Sequence, residues 1–319
     1  MAFLAAMHVV LFFFCFFPPL SFSQSILKNS TSHYSECVVW SVITSQIVLK
    51  FKKLVLVCKM EYLVTLHEDV SRSGDPRVAN WFLVRSPLPI IGIIVSYLLL
   101  VFYGPRFMEK RSAFTLKYLM RIYNIFQISL SAYMFYEFLV TSVLSRYDLT
   151  CQPIDTSMDP LALRMADVCW LFFFSKVIDM IDTVFFVLRK KNNQLTFLHI
   201  FHHSTMVFNW WLGVKYVPGG QSFFCAMLNS LVHVVMYSYY LLSSLGAWIQ
   251  PYLWWKRYLT QFQIVQFVLI VIHISYGHYN NCDFPSTLSV VLALYCLTLL
   301  VFFSHFYIQA YLRKSKKLS

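Results

Sequence analysis

In the stretch LHIFHHSTM, Leu198 to Met206, three imidazoles stand inside an otherwise apolar run: His199, His202 and His203. Spaced i, i+3 and i+4, they share one face of a helix. Histidines clustered in this way either ligate a metal or act as nucleophile, acid or base, with proton affinities set by their surroundings. Three other stretches bring polar residues into apolar sequence. KVIDMIDTVFFVLRKK supplies Lys176, Asp179, Asp182 and Thr183, which share a face of a single helix. NSLVHVVMYSYY supplies Asn229, His233 and Tyr237 at i, i+4 and i+8, with Met236 and Tyr240 beside them. TQFQIVQF supplies Thr260, Gln263 and Gln266.

The chain that must position these residues is 58% hydrophobic, 18% aromatic and only 13% charged, the composition of a membrane protein. Its net charge of +12 does not indicate nucleic acid, because Lys and Arg gather in short clusters between apolar runs. About 20 apolar residues cross a bilayer as a helix. Seven such segments follow residue 86, at roughly 88–104, 119–144, 166–188, 197–215, 222–244, 259–277 and 287–311. Basic clusters follow the first span (Arg106, Lys110, Arg111, Lys117, Arg121), the third (Arg189, Lys190, Lys191), the fifth (Lys256, Arg257) and the seventh (Arg313, Lys314, Lys316, Lys317). The alternate loops carry only Arg146, Arg164 and Lys215. This pattern predicts an all-α, multi-pass bundle of seven transmembrane helices with a cytosolic C-terminus.

On that topology the three histidines of the fourth span lie roughly 12 to 18 Å along the helix from Lys191. The other polar sets fall in the same cytosolic half of the membrane. Ionisable groups in the hydrocarbon region are costly, and four helices converging them at one depth define a site. A membrane di-iron enzyme needs several histidine clusters facing one another. His273 and His278 form an H-x4-H, but about 24 to 30 Å along the sixth helix from Lys256, toward the opposite side. With only His233 left to join the triplet the ligand set is too small for di-iron, and a single zinc stays open. A transporter calls for discontinuous helices or a polar trail across the whole bilayer, and the sequence displays neither.

The first residues, MAFLAAMHVVLFFFCFFPPLSFSQ, are apolar from Leu4 to Phe17, break at Pro18-Pro19 and end in Ser21-Phe22-Ser23. Three readings stay open: a cleaved signal peptide, an extra membrane anchor, or upstream sequence with Met60 as the working start. A cleaved signal would leave the sequon Asn29-Ser30-Thr31 in the lumen. The eight cysteines include no C-x-x-C pair, which disfavours a structural zinc site or a dense disulfide scaffold.

In order and spacing, KVIDMIDT, LHIFHHSTM, NSLVHVVMYSYY and TQFQIVQF resemble the four motifs of the very-long-chain fatty acid elongase (ELO) family, membrane 3-ketoacyl-CoA synthases of the endoplasmic reticulum. The resemblance covers roughly Glu61 to Arg313 and is nearest to the animal branch, through HVVMYSYY and VFFVLRKKNNQ. It divides the chain into an N-terminal extension (1–60), a seven-helix elongase domain (61–313) and a basic cytosolic tail (314–319). Where this chain has Asp179, family members usually carry Glu; the carboxylate is kept but its reach is shorter by one methylene.

The resemblance implies condensation of a long-chain fatty acyl-CoA with malonyl-CoA to a 3-ketoacyl-CoA, releasing CO2 and CoA, with no tightly bound cofactor and no metal. The helices would surround an acyl tunnel, and Arg189, Lys190, Lys191, Lys256 and Arg257 would ring its mouth for the anionic CoA heads. No cysteine is expected near the motifs at their depth, so His202 takes the nucleophile's place. His199 and His203 would orient or deprotonate it, and His233 would face the reacting carbon. Asn229, Gln263 and Tyr237 would stabilise an enolate or oxyanion, with Gln266 also lining the substrate site, while Asp179 and Asp182 hold histidine tautomers or pair with Lys176. Also implied are a Cys151–Cys282 disulfide between two lumenal loops, a homodimer, and association with the reductases and dehydratase of the elongation cycle. The terminal KKLS, with Lys316 and Lys317, resembles a dilysine retrieval signal.

Overall fold

The structure, a computed structural model, describes residues 64–65 and 67–313. The signal-like segment, the sequon, the 1–60 extension and the 314–319 tail with its lysine pair lie outside the described residues. The chain forms two units, Met1–Ser71 and Arg72–Ser319. In the first, residues 64–65 and 67–71 are helical.

The second unit is built of helices, and among the described residues there is no strand. They are α1 (Pro87–Met108), α2 (Lys117–Leu144), α3 (Pro160–Asp179), α4 (Ile181–Leu188), α5 (Phe197–Tyr216), α6 (Ser222–Ser243), α7 (Lys256–Tyr279) and α8 (Ser286–Tyr307), the last running on into a π turn, Ile308–Leu312. Their starts follow local chemistry. Ser86 caps α1 by accepting from the Leu88 amide at 3.2 Å, with Pro87 at the first helical position. Thr196 does the same for α5 through the His199 amide.

The expected third span, 166–188, is not one helix. It begins earlier, at Pro160, and breaks at Met180, where the amide of Met180 reaches Val177 O (3.3 Å) and that of Thr183 reaches Met180 O (3.1 Å). These i→i−3 bonds tighten the chain and rotate α4 relative to α3. The sequence thus conceals a discontinuous helix inside KVIDMIDT, contrary to expectation. Lys176, Asp179 and Asp182 still turn toward α6, but Thr183 turns toward α1 and α5.

Among the described residues, four helices are long and apolar enough to cross a membrane: Pro87–Met108, Ser222–Ser243, Lys256–Tyr279 and Ser286–Leu312. The other segments expected to span are more polar for a structural reason. α2 buries Asn124, Gln127, Ser131, Glu137, Thr141 and Ser142 on its inner face, α3 is cut short and buries Lys176 and Asp179, and α5 carries the three histidines and a buried Lys215.

Neighbour relations close a ring: α2 packs on α6, α6 on α7, α7 on α8, α8 on α5, α5 on α3 and α3 on α2, with α1 against α4 and α5. At the centre of one wall, the Phe172 ring of α3 meets Phe138 of α2 and Trp210 of α5 at 6.1 and 4.4 Å between centroids, edge contacts favoured by the ring quadrupoles. Gly104 lets α1 approach α4, since a Cβ there would stand 2.8 Å from Val187. At one end the loops carry Arg189, Lys190 and Lys191. At the other, Cys151 and Cys282 are joined in a disulfide across 131 residues. There Gly277 admits the Gln221 amide, which would lie 2.8 Å from a Cβ. Gln221 Nε2 donates to Thr150 O, and its Oε1 accepts from the Gln152 amide.

Candidate active site

The site sits between two spaces. On the disulfide side lies an apolar cleft of about 860 Å³, its open mouth included, bounded by α5, α6, α7 and α8. His202 lies at its inner end with Asn229, Gln266 and Leu299; Val217, Phe284 and Leu288 lie toward the disulfide. From His202 to Val217 the α5 backbone rises about 22 Å. On the basic side, a second cleft is lined by Lys117, Arg121, Asn124, Asp182, Arg189, Gln194 and Tyr240, among others. The Asn124 amide nitrogen and the Arg121 Nε are both buried there without a hydrogen-bond partner. Of the expected ring of cations only Arg189 lines this mouth. Lys190 is spent otherwise, because it stands in the left-handed region (φ 55°) just past α4 and its Nζ donates to the carbonyls of Glu109 and Arg111. Lys191, Lys256 and Arg257 are not part of the lining, whereas Lys117 and Arg121 of α2 are.

A bonded chain of side chains crosses from one cleft to the other. Tyr237 donates toward Asp182 Oδ2 at 2.8 Å and lies 3.1 Å from Asp179 Oδ1. Lys176 Nζ donates to Asp179 Oδ2 at 3.3 Å and to Asn229 Oδ1 at 3.0 Å, and also sits over the Phe172 ring. His233 Nδ1 stands 3.7 Å from Asp179 Oδ2. Asp182, partly exposed, faces the basic mouth and Asn229 faces the apolar cleft, so the motifs of α3, α4 and α6 form one network whose inner members, Lys176, Asp179 and His233, are buried and closely paired, as buried charge requires.

The three histidines of α5 divide their work by position. His199 Nε2 is 2.7 Å from Thr183 Oγ1, which also reaches Tyr97 OH of α1 at 3.3 Å. His203 lies between its neighbours, 4.2 Å from the His199 ring and 5.4 Å from that of His202. Only His202 lines the apolar cleft. Among the described residues no group of three or more His, Cys, Asp or Glu is placed to hold a metal ion. His273 is far from this cluster in its contacts. It meets Leu149 O at 2.9 Å, Gln221 and the Phe224 ring, beside the disulfide.

Some expected members are not at the cleft. The Tyr237 hydroxyl is engaged by carboxylates, and Gln263 Nε2 points to Met236 Sδ at 3.7 Å. Asn229 and Gln266 alone of the proposed polar donors line it. The expectation that no cysteine lies near the motifs is wrong. Cys225, one turn before Asn229 on the same face of α6, lines the cleft with His202, as does Cys296 of α8. Sequence reasoning also missed Tyr123, Asn124 and Gln127 of α2. Their signal was a polar stripe at i, i+1 and i+4 within a span counted only as apolar.

The helices form a ring around an apolar cleft that ends on a histidine, with a basic mouth behind it. Residues 82–319 match the ELO: GNS1/SUR4 family, and the chain belongs to it. It is 45% identical over 262 residues to very long chain fatty acid elongase 1 of Homo sapiens, covering 81% of this chain and 94% of that protein. It is likewise 45% identical over 254 residues to very long chain fatty acid elongase 7 of Rattus norvegicus (78% and 89%). Over 238 residues it is 45% identical to very long chain fatty acid elongase 4 of Mus musculus (75% and 76%).

Proposed function

We propose that the protein condenses a long-chain fatty acyl-CoA with malonyl-CoA, the first step of two-carbon elongation, and that His202 carries the acyl group. The observation behind this is that His202 is the one histidine of the cluster at the inner end of the apolar cleft. The imidazole nitrogen attacks the thioester carbonyl, the C–S bond breaks, and CoA leaves as the thiol with the proton from the ring. Loss of CO2 from malonyl-CoA then gives an enolate whose carbon attacks the acyl carbonyl. The C–N bond breaks, and the departing ring nitrogen takes up a proton from solvent to restore neutral His202 and free the 3-ketoacyl-CoA. A dry apolar cleft protects the acyl-imidazole from water.

Asn229 and Gln266 are the donors placed to hold the carbonyl oxygen. His203 and His199, with Thr183 behind them, orient His202, and His233 serves the reacting carbon with Asp179 fixing its ring. Lys176, Asp182 and Tyr237 complete the charge pairing. Lys117, Arg121 and Arg189 take the CoA phosphates. Residues 61–313 act as a seven-span domain, α3 and α4 together making the third crossing, with the basic mouth cytosolic and the disulfide in the lumen of the endoplasmic reticulum. A homodimer, in company with the reductases and dehydratase of the cycle, completes the proposal. Apart from its two substrates the reaction needs no cofactor.

Membranes containing the protein, given a panel of acyl-CoAs and labelled malonyl-CoA, should yield 3-ketoacyl-CoA two carbons longer. Absence of labelled product at every chain length would overturn the reading. Cys225 favours a second reading, acyl transfer to a thiol in the same cleft. Purified enzyme mixed with acyl-CoA alone tells them apart. His202→Ala should abolish both CoA release and the mass gain of one acyl group, whereas Cys225→Ser abolishes them if the thiol is the acceptor.

A further inference from the structure

Gln127 of α2 belongs to none of the four motifs, yet it is almost wholly buried at the junction of two of them. Its Nε2 lies 2.6 Å from Asp179 Oδ1, 3.0 Å from Tyr123 OH and 3.1 Å from Tyr237 OH. A carboxamide beside a carboxylate at that distance must present its nitrogen, because two oxygens would repel. Counting protons then fixes the arrangement. Tyr237 has one proton and two carboxylate neighbours, at 2.8 Å (Asp182) and 3.1 Å (Asp179); the shorter bond takes it. Tyr123 gives its own proton to Ile178 O at 3.3 Å, beside the break in the helix. Asp179 Oδ1 is therefore held by Gln127, whose second proton goes to the tyrosine oxygens.

What Gln127 holds is passed on. With Oδ1 tied to α2, Asp179 Oδ2 is aimed at Lys176 Nζ and His233. Lys176 in turn occupies Asn229 Oδ1. With its oxygen turned to Lys176, the Asn229 amide has its NH2 on the opposite branch, and Asn229 lines the cleft beside His202. We propose that Gln127 is a positioning residue: through Asp179 and Lys176 it fixes the Asn229 amide with its donors turned to the substrate oxygen. The inference rests on the condensing reading of the site and adds to it a residue from a helix outside the motifs.

The test uses full-length enzyme in detergent or nanodiscs, with Gln127→Asn, Gln127→Met and the reach-swapped pair Gln127→Asn with Asp179→Glu. Loss of one hydrogen bond to a buried charge should lower kcat for condensation by roughly tenfold to a hundredfold in Gln127→Asn and Gln127→Met. The KM for acyl-CoA, set by the apolar cleft and the basic mouth, should change little. The pair, in which total reach is conserved, should recover most of the kcat. Wild-type kcat in Gln127→Met overturns the proposal. So does a loss in Gln127→Asn that the pair does not recover, since this marks a residue needed only for folding. Inactivity of the wild type itself would strike the condensing reading, not this one.

Discussion

Phe284 is the wall between two unlike spaces. It lines the apolar cleft that begins at His202, and it also lines a neighbouring, more polar cleft with Gln221, His278, Asn281, Cys282, Ser286 and Ser289. Its backbone is tied close to the disulfide, its amide donating to Cys282 O at 2.7 Å. In the condensing reading the methyl end of the acyl chain approaches this ring, so Phe284→Ala should admit a longer substrate. Each additional methylene buried is worth about 0.8 kcal/mol, so one two-carbon step gains ~1.6 kcal/mol, or roughly fifteenfold in kcat/KM for the next longer acyl-CoA. The gain should stop there, because beyond the ring the serines and His278 prefer water to methylenes. Phe284→Trp should act in the opposite sense and shorten the preferred chain. Product lengths from a series of acyl-CoAs, with labelled malonyl-CoA, measure both. A profile that keeps its shape in both variants, even at lower activity, refutes the argument that this ring ends the cleft.

Three further outcomes follow from the same geometry. Arg121→Ala should raise the KM for both CoA substrates, by roughly tenfold where a donor to phosphate is lost, and should flatten the salt dependence of KM; steady-state kinetics across ionic strength checks this, and unchanged KM values would remove the basic mouth from CoA binding. Cys151→Ser should destabilise the protein by about 2 to 4 kcal/mol, seen as a lower thermal midpoint that added reductant reproduces in the wild type. Thr183→Val removes the hydroxyl shared by His199 and Tyr97 and should slow CoA release from acyl-CoA alone, whereas Tyr97→Phe, which leaves the 2.7 Å contact to His199 in place, should slow it less.

The legible part of this fold was whatever repeats with helical period in apolar sequence. Helix limits at 117–144, 197–216, 222–243 and 256–279 lie within three residues of those expected, because basic clusters and Gly-poor apolar runs fix where a membrane helix starts and stops. The i, i+3, i+4 histidines were equally visible, as was their separation from His273. The break at Met180 was not. No Gly or Pro marks it, and it rests on tertiary contacts, Tyr123 to Ile178 O on one side and Thr183 to Tyr97 on the other, that single-sequence periodicity does not contain.

The function of α2 was hidden for a related physical reason. In a membrane segment a Gln or Asn among apolar residues reads as a tolerated impurity until a partner is known, and the partner of Gln127 is 52 residues away. Cost decides the matter: a buried carboxylate such as Asp179 requires several donors, and the α3 motif itself supplies only Lys176. The charge count of a motif therefore signals a missing donor even while the donor's place in the chain is unknown. The polar stripe Tyr123, Gln127, Ser131, at i, i+4 and i+8 on the inward face of α2, meets that need, since α2 packs against α3 and α6 together.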